Sequence, residues 1–170
     1  SVIMRPVYLS VCKADQRYYL GRRSREALKA KLPMALIHEC VAKVVFDPTG
    51  NFKQGDLVVP VPNTPMEEDE IIAENYRTTS RFCSSGYDGF LRDYIDISPD
   101  RLVKVPDGVD LRIASFAELI SVAVHAVTRF ERFAHKRKNS IGIWGDGNVG
   151  FITALVLKAL YPNTKLYVFG

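Results

Sequence analysis

The sequence predicts a mixed β and α/β fold, in which a β-rich domain runs into the first part of a dinucleotide-binding domain. Three observations predict it. Short apolar or alternating runs, separated by Pro, Gly and Asp turns, fill the stretch from Val2 to Val105. From Asp110 the apolar spacing changes to a helical period. A glycine-rich turn, Gly145-Asp146-Gly147-Asn148-Val149-Gly150, then sits between an apolar strand and an apolar helix, with another strand beyond.

The elements follow in order. Val2 to Leu9 reads as a strand interrupted at Pro6, because proline donates nothing to a ladder. Cys12 to Arg23 is polar and aromatic and reads as a loop with a helical turn. Glu39 to Phe46, with Val41, Val44 and Val45, reads as a strand closed by the turn Asp47-Pro48-Thr49-Gly50-Asn51. Leu57 to Val61 is a short strand. Residues 62 to 85 form a long polar excursion, with a solvated acidic face at Glu67-Glu68-Asp69-Glu70. Phe90 to Ile97 and Leu102 to Val105 read as strands, the second ending at Pro106-Asp107-Gly108. Leu111, Ala114, Phe116, Ala117, Ile120, Val124, Val127 and Phe130 suit one helix to about Phe133, with Asp110 as N-cap. Ser140 to Trp144 is a buried strand, Val149 to Tyr161 a helix ended by Pro162-Asn163, and Lys165 to Phe169 the next strand. The expected organisation is a catalytic domain at 1–110, a connecting helical segment at 111–138, and the N-terminal βαβ part of a Rossmann domain at 139–170. The late glycine turn, with one strand after it, predicts a piece of a longer polypeptide.

Composition sets limits. The chain is 47% hydrophobic and 25% charged, and no apolar run approaches the roughly 20 residues that span a bilayer. A net charge of +4 is too mild to argue for nucleic acid. The densest basic run, His135-Lys136-Arg137-Lys138, suits a solvated helix end. Cys12, Cys40 and Cys83 are odd in number and widely spaced, which fits a reducing compartment and predicts a cytoplasmic protein.

In the glycine turn, Gly145 permits the tight bend, Gly147 lets backbone approach a pyrophosphate, and Gly150 lets helix and strand pack closely. Asn148 and Val149 stand where the turn enters the helix, whose N-terminal amides complete the anion site. An acidic residue about 20 positions beyond the last glycine normally holds the ribose of NAD. Here that position is Gly170, which removes the acceptor and leaves room for a 2′-phosphate, so the expected cofactor is NADP(H).

Cys12, His38, Glu39 and Glu118 offer a thiolate, an imidazole and two carboxylates from separate elements, a set suited to one catalytic zinc ion. Taken singly, each has a plainer reading: a small buried hydrophobe, a hydrogen-bonded histidine, a surface acid. Their contexts say more. Val11-Cys12-Lys13-Ala14-Asp15, Pro33-Met34-Ala35-Leu36-Ile37-His38-Glu39, Gly55-Asp56-Leu57-Val58 and Glu118 to Ala126, in that order and spacing before the glycine turn, resemble the zinc-containing medium-chain dehydrogenase/reductase family. Within it, the strings Cys12 to Tyr19, Lys31 to Glu39, Pro62 to Pro65, Glu74-Asn75-Tyr76, Ser84-Ser85-Gly86 and Ile143 to Gly147 are similar to the ribulose-5-phosphate reductase (ribitol-5-phosphate dehydrogenase) subfamily.

The resemblance implies a GroES-like catalytic domain before the Rossmann segment. It implies that Cys12 and His38 bind zinc, that Glu118 matches the ligand helix of the polyol-type branch, and that Glu39 is a ligand or an exchangeable neighbour. Asp15 would orient His38 through its other ring nitrogen. Three departures stand out: Ile37 precedes His38 where glycine is usual, Ala14 replaces a proton-relaying Ser or Thr, and residues 60 to 90 offer only Cys83, too few for a structural zinc lobe. The implied reaction is NADPH-dependent reduction of ribulose 5-phosphate to ribitol 5-phosphate, feeding CDP-ribitol synthesis for teichoic acid or capsule polymers. Arg17, Arg22 and Arg23 would serve the substrate phosphate. A homodimer and a fused or associated cytidylyltransferase are the implied partners. The competing readings are another polyol or alcohol dehydrogenase, a metal-free reductase of the same superfamily, and a catalytically silent nucleotide-binding module.

Overall fold

The computed structural model describes every residue except Asn75, which lies in the Glu74-Asn75-Tyr76 string. The chain forms two compact units, Ser1–Ala117 and Glu118–Gly170.

The first unit is built on a five-stranded antiparallel sheet. Its strands are β1 (Val2–Ser10), β2 (Glu39–Phe46), β3 (Leu57–Pro60), β6 (Ile95–Ile97) and β7 (Leu102–Lys104), in the order β6-β1-β2-β3-β7. A separate ribbon pairs β4 (Asn63–Thr64) with β5 (Arg81–Phe82) inside the long excursion. The strand expected at Phe90 to Ile97 shortens to Ile95–Ile97. Phe90 is spent elsewhere: its amide bonds Ile37 O at 2.6 Å and its ring is fully buried. The interruption at Pro6 is present as a register shift between Pro6 and Tyr8.

Strand β2 is packed on both faces. Cys40, Ala42 and Val44 join Val2, Met4, Val58, Phe90 and Ile95 in the main core. Val41 faces Val105 and Ala114 in a smaller one. Each buried valine or isoleucine contributes about 1.5–3 kcal/mol, so β2 and its first residue, Glu39, are held rigidly.

Two helices lie between β1 and β2. The segment read as a loop at Cys12 to Arg23 contains α1 (Lys13–Tyr19), because Asp15 reaches back to the Cys12 amide at 3.2 Å and closes the first turn. The second, α2 (Arg25–Lys31), was not anticipated, although Ser24 caps it at the Ala27 amide and its residues favour helix. The single helix expected from Asp110 to Phe133 divides into α3 (Leu111–Ala114) and α4 (Ala117–Phe133). Ser115 Oγ bonds the Arg112 carbonyl and the Phe116 amide takes Ile113 O, a tightened turn that breaks the helical ladder. Asp110 caps α3 as expected, accepting from the Arg112 amide at 2.8 Å.

The second unit holds the rest of α4 and a βαβ segment. Its parallel strands β8 (Ser140–Trp144) and β9 (Lys165–Phe169) are joined by α5 (Asn148–Leu160). No helix of the described residues is long and apolar enough to cross a membrane.

Candidate metal centre and nucleotide turn

The first unit brings four of the predicted site residues together. Cys12 is the N-cap of α1, and His38 is the last residue before β2. Cys12 Sγ lies 3.8 Å from His38 Nε2, across 26 residues of chain. Asp15 sits one turn into α1, and Cys12, Asp15 and His38 each place a donor atom within 4.8 Å of the others. Glu39 begins β2 and puts Oε1 4.0 Å from His38 Nε2.

The Asp15 carboxylate ties the approaching segments. Oδ2 accepts from Cys12 Sγ at 2.9 Å and from the Cys12 amide. Oδ1 accepts from the Ile37 amide at 2.8 Å and from Ser84 Oγ at 2.9 Å. Burial pushes this carboxyl up, but the hydrogen bonds from Cys12, Ile37 and Ser84 outweigh it and hold it below the usual aspartate value. Ile37 takes a left-handed backbone, φ 72°, a conformation that favours glycine. The Ala35–Ile37 segment is laced to 89–91 by Gly89 N to Ala35 O, Phe90 N to Ile37 O and Leu91 N to Leu36 O. Only glycine fits at 89, since a Cβ there would stand 2.3 Å from Ile37 O.

The donor set fits zinc. Tetrahedral zinc, with bonds of about 2.3 Å to sulfur and 2.0 Å to nitrogen, would hold the two ligand atoms about 3.5 Å apart. The 3.8 Å separation is close to that. Glu39 is 2% exposed, with Oε2 bonded by Ser10 Oγ while Oε1 is buried without a hydrogen-bond partner among the described residues. Such an orphaned carboxylate oxygen is costly unless a cation or proton meets it. Burial pushes the Glu39 carboxyl up, and the Ser10 hydroxyl and neighbouring His38 offset only part of that. Burial, reinforced by the bond to Asp15, raises the Cys12 thiol to about 11, so a cation is what would ionise it at neutral pH.

Sequence reasoning missed Ser10, Ser84 and Phe82. The ring of Phe82 meets the His38 ring edge-on at 5.3 Å between centroids. These residues lie far along the chain from their partners, and even Ser84, inside one of the resembling strings, carries no local sign of which side chain it meets, so only the fold could have found them. Arg17 and Arg22 are exposed. Arg23 stands apart from them: its guanidinium lies 4.8 Å over the buried Tyr18 ring, and its Nε is buried without a hydrogen-bond partner among the described residues. Glu118 stands on the first turn of α4, at the start of the second unit.

In the second unit the glycine turn has the expected geometry. Gly145 has φ 122° and donates to Phe169 O at 2.8 Å. Gly150 packs against that turn, where a Cβ would stand 1.8 Å from Gly145 O. Gly147 caps α5 and has open space around it, as a backbone that must approach a ligand requires. Asn148 begins α5 and Val149 follows it. Gly170 abuts Asp146: a Cβ there would meet Oδ2 at 2.7 Å.

The profile of the alcohol dehydrogenase GroES-like domain matches residues 1–107, the part that carries Cys12, Asp15, His38 and Glu39. The chain belongs to this family. Curated members resemble it along nearly its whole length: a ribulose-5-phosphate reductase of Bacillus spizizenii is 60% identical over 99% of the chain. Ribulose-5-phosphate reductase 2 of Staphylococcus aureus is 57% identical over the same share. In both cases the chain covers 50% of the relative, so it spans about half the length of the curated proteins it matches. A crystal structure of S. aureus TarJ in complex with NADPH superposes with a TM-score of 0.78 at 48% identity, covering 99% of this chain and 46% of that one. The antiparallel sheet of the first unit is thus a GroES-like fold, and a βαβ segment follows it in the chain.

Proposed function

We propose that the chain carries the zinc centre and opens the NADP(H) site of a ribulose-5-phosphate reductase, an oxidoreductase making ribitol 5-phosphate for CDP-ribitol and hence teichoic acid or capsule polymers. The observation that supports it most is the approach of Cys12 Sγ to His38 Nε2 at 3.8 Å, in a chain 60% identical to a ribulose-5-phosphate reductase. The domain reading is residues 1–110 catalytic, 111–138 connecting and 139–170 nucleotide-binding.

Cys12 and His38 would hold the metal, with Glu118 as a carboxylate donor and Glu39 as a further ligand or an exchangeable neighbour. Bound there, zinc would supply Lewis-acid polarisation of the ketone oxygen. In the balanced reaction the carbonyl carbon gains a hydride, which NADPH would supply when bound, and the carbonyl oxygen gains one proton, giving NADP⁺ and the alcohol. Ala14 carries no hydroxyl to relay that proton. The Oε1 of Glu39, buried beside His38, would deliver it when Glu39 acts as an exchangeable neighbour of the metal and not as its ligand. Asp15 fixes where Cys12 and Ile37 stand, and so aims His38. Arg23 is the preferred anchor for the substrate phosphate, because stacking on Tyr18 fixes its guanidinium for bidentate contact. The Gly145–Gly150 turn takes the pyrophosphate. Absence of a carboxylate at Gly170 favours the 2′-phosphate of NADP(H), provided that the flexible Asp146 side chain swings aside.

The test is metal analysis of the purified chain, together with NADPH oxidation in the presence of ribulose 5-phosphate by the longer polypeptide that the sequence predicts. Stoichiometric zinc and turnover, both lost in Cys12→Ser, are expected, with NADPH preferred to NADH. Turnover without zinc would support the metal-free reductase instead. Binding of NADPH without any turnover would support the silent module.

A further inference from the structure

We infer that Ser84 is a positioning residue for the Cys12–His38 pair, acting through the carboxylate of Asp15. This rests on the reading that Cys12 and His38 hold a metal ion.

Among the described residues, two that are not glycine have a left-handed backbone: Ile37 at φ 72° and Ser84 at φ 60°. Both donate to the same atom. Asp15 Oδ1 receives the Ile37 amide at 2.8 Å and Ser84 Oγ at 2.9 Å. Neither a β-branched residue nor serine favours this conformation, so the surrounding structure must impose it. For Ser84 the constraint is local: its amide bonds Tyr87 O at 2.9 Å, and the Ser85 amide bonds Phe82 O. The turn aims a buried hydroxyl, 4% exposed, at a carboxylate 69 residues earlier in the chain.

That hydroxyl settles which way the carboxylate faces. A carboxylate turns about its Cβ–Cγ bond unless donors fix it. With Ser84 and Ile37 on Oδ1, Oδ2 is left directed at the Cys12 amide and at Cys12 Sγ. In the metal-free chain, rotation would release both Cys12 contacts together. Once the sulfur has given up its proton to bind a metal the amide contact remains, and its loss would loosen the sulfur from its place beside His38 Nε2. The same turn also reaches the imidazole, since Phe82, two residues before Ser84, meets the His38 ring edge-on. One segment of the excursion thus bears on the site at two points, and Ser84 is the one that acts on the thiol side.

A plainer role would be that of a buried turn serine that has found the nearest acceptor. The two roles separate in Ser84→Gly. Glycine accepts φ 60° without strain, so the turn keeps or gains stability while the hydroxyl disappears. Ser84→Ala loses the same hydroxyl but keeps the strain. The chain is loaded with cobalt(II) as a spectroscopic stand-in for zinc. The thiolate-to-metal charge-transfer band and the ligand-field bands are recorded, and affinity is measured by competition with a chelator. Loss of a hydrogen-bonding partner behind a ligand typically weakens metal binding about 10–100-fold. Both variants are expected to bind cobalt(II) about tenfold more weakly than the wild type and to shift its ligand-field bands, although they differ from each other in stability. If the wild type shows the thiolate band and both variants match it in affinity and spectrum, Ser84 has no positioning role and the metal reading stands. If the wild type itself shows no thiolate band, the metal reading falls and this inference with it.

Discussion

Ile37 shows how a single residue can run against its own preference. Its φ of 72° suits glycine, and an L-residue in that region costs about 1–2 kcal/mol. The side chain is 5% exposed, and burying an isoleucine contributes about 1.5–3 kcal/mol. Burial therefore outweighs strain, and the backbone is further held by Asp15 at its amide and Phe90 at its carbonyl. The usual order of substitutions should then invert. Ile37→Ala loses the burial and keeps the strain, whereas Ile37→Gly loses the burial and relieves it. Urea denaturation is expected to find the glycine variant more stable by about 1 kcal/mol, although glycine elsewhere costs up to about that much relative to alanine. A glycine variant less stable than the alanine variant would show that φ at this position is not strained. The sequence revealed the departure at Ile37 but gave no sign that serine at 84 shares the same conformation.

Among the elements, the turn between β8 and α5 divides its labour between glycines. Gly150 is a packing requirement: an added Cβ would lie 1.8 Å from backbone that cannot move away cheaply. Overpacking of this kind costs about 1–3 kcal/mol or more. Gly147 has nothing near it and a φ of −76°, which any residue adopts. Gly150→Ala should therefore destabilise the second unit, with the fluorescence of Trp144 as the probe of its unfolding. Gly147→Ala should leave stability within about 1 kcal/mol yet weaken NADPH binding in a titration, because the new methyl group stands where the pyrophosphate approaches. Equal effects on stability from both variants would dissolve the distinction. The bounds of this element were legible in the sequence almost to the residue, since strand, turn, helix and strand are contiguous and their signals local. The burial expected of Ser140 to Trp144 is not found, its residues alternating between exposed and half-buried. The stretch from Asp110 to Phe133 was not, because the break at Ser115 comes from side-chain and tightened-turn bonds that leave the apolar period intact.

For the whole molecule, the first unit carries the charge arrangement that governs acid stability. Asp47 accepts from Thr49 Oγ1, with the Phe52 amide also bonded to it, and Asp56 pairs with Lys104. These bonds hold both carboxyls below their ordinary values, against a smaller upward push from burial. A depressed folded value means that the ionised group favours the folded state, so this stability is present above the unfolded value and lost as pH falls through the folded one. Glu39 acts in the opposite sense, since its raised value means that ionising it opposes folding in the metal-free chain. The depressed aspartates are the more numerous, so the urea midpoint should fall below about pH 4, and Asp47→Asn should flatten that fall. A midpoint independent of pH across this range would contradict the assignment. What the sequence by itself determined was everything carried by local pattern: most strands, the Asp110 cap, the glycine turn, and four side chains of ligand chemistry. What only the tertiary structure decided was the assembly of the centre. Cys12, His38 and Ser84 are brought to Asp15 by a doubly packed β2, by the lacing of 35–37 to 89–91, and by a turn inside the polar excursion. Their meeting depends on long-range packing and on backbone conformations that no short stretch of residues specifies.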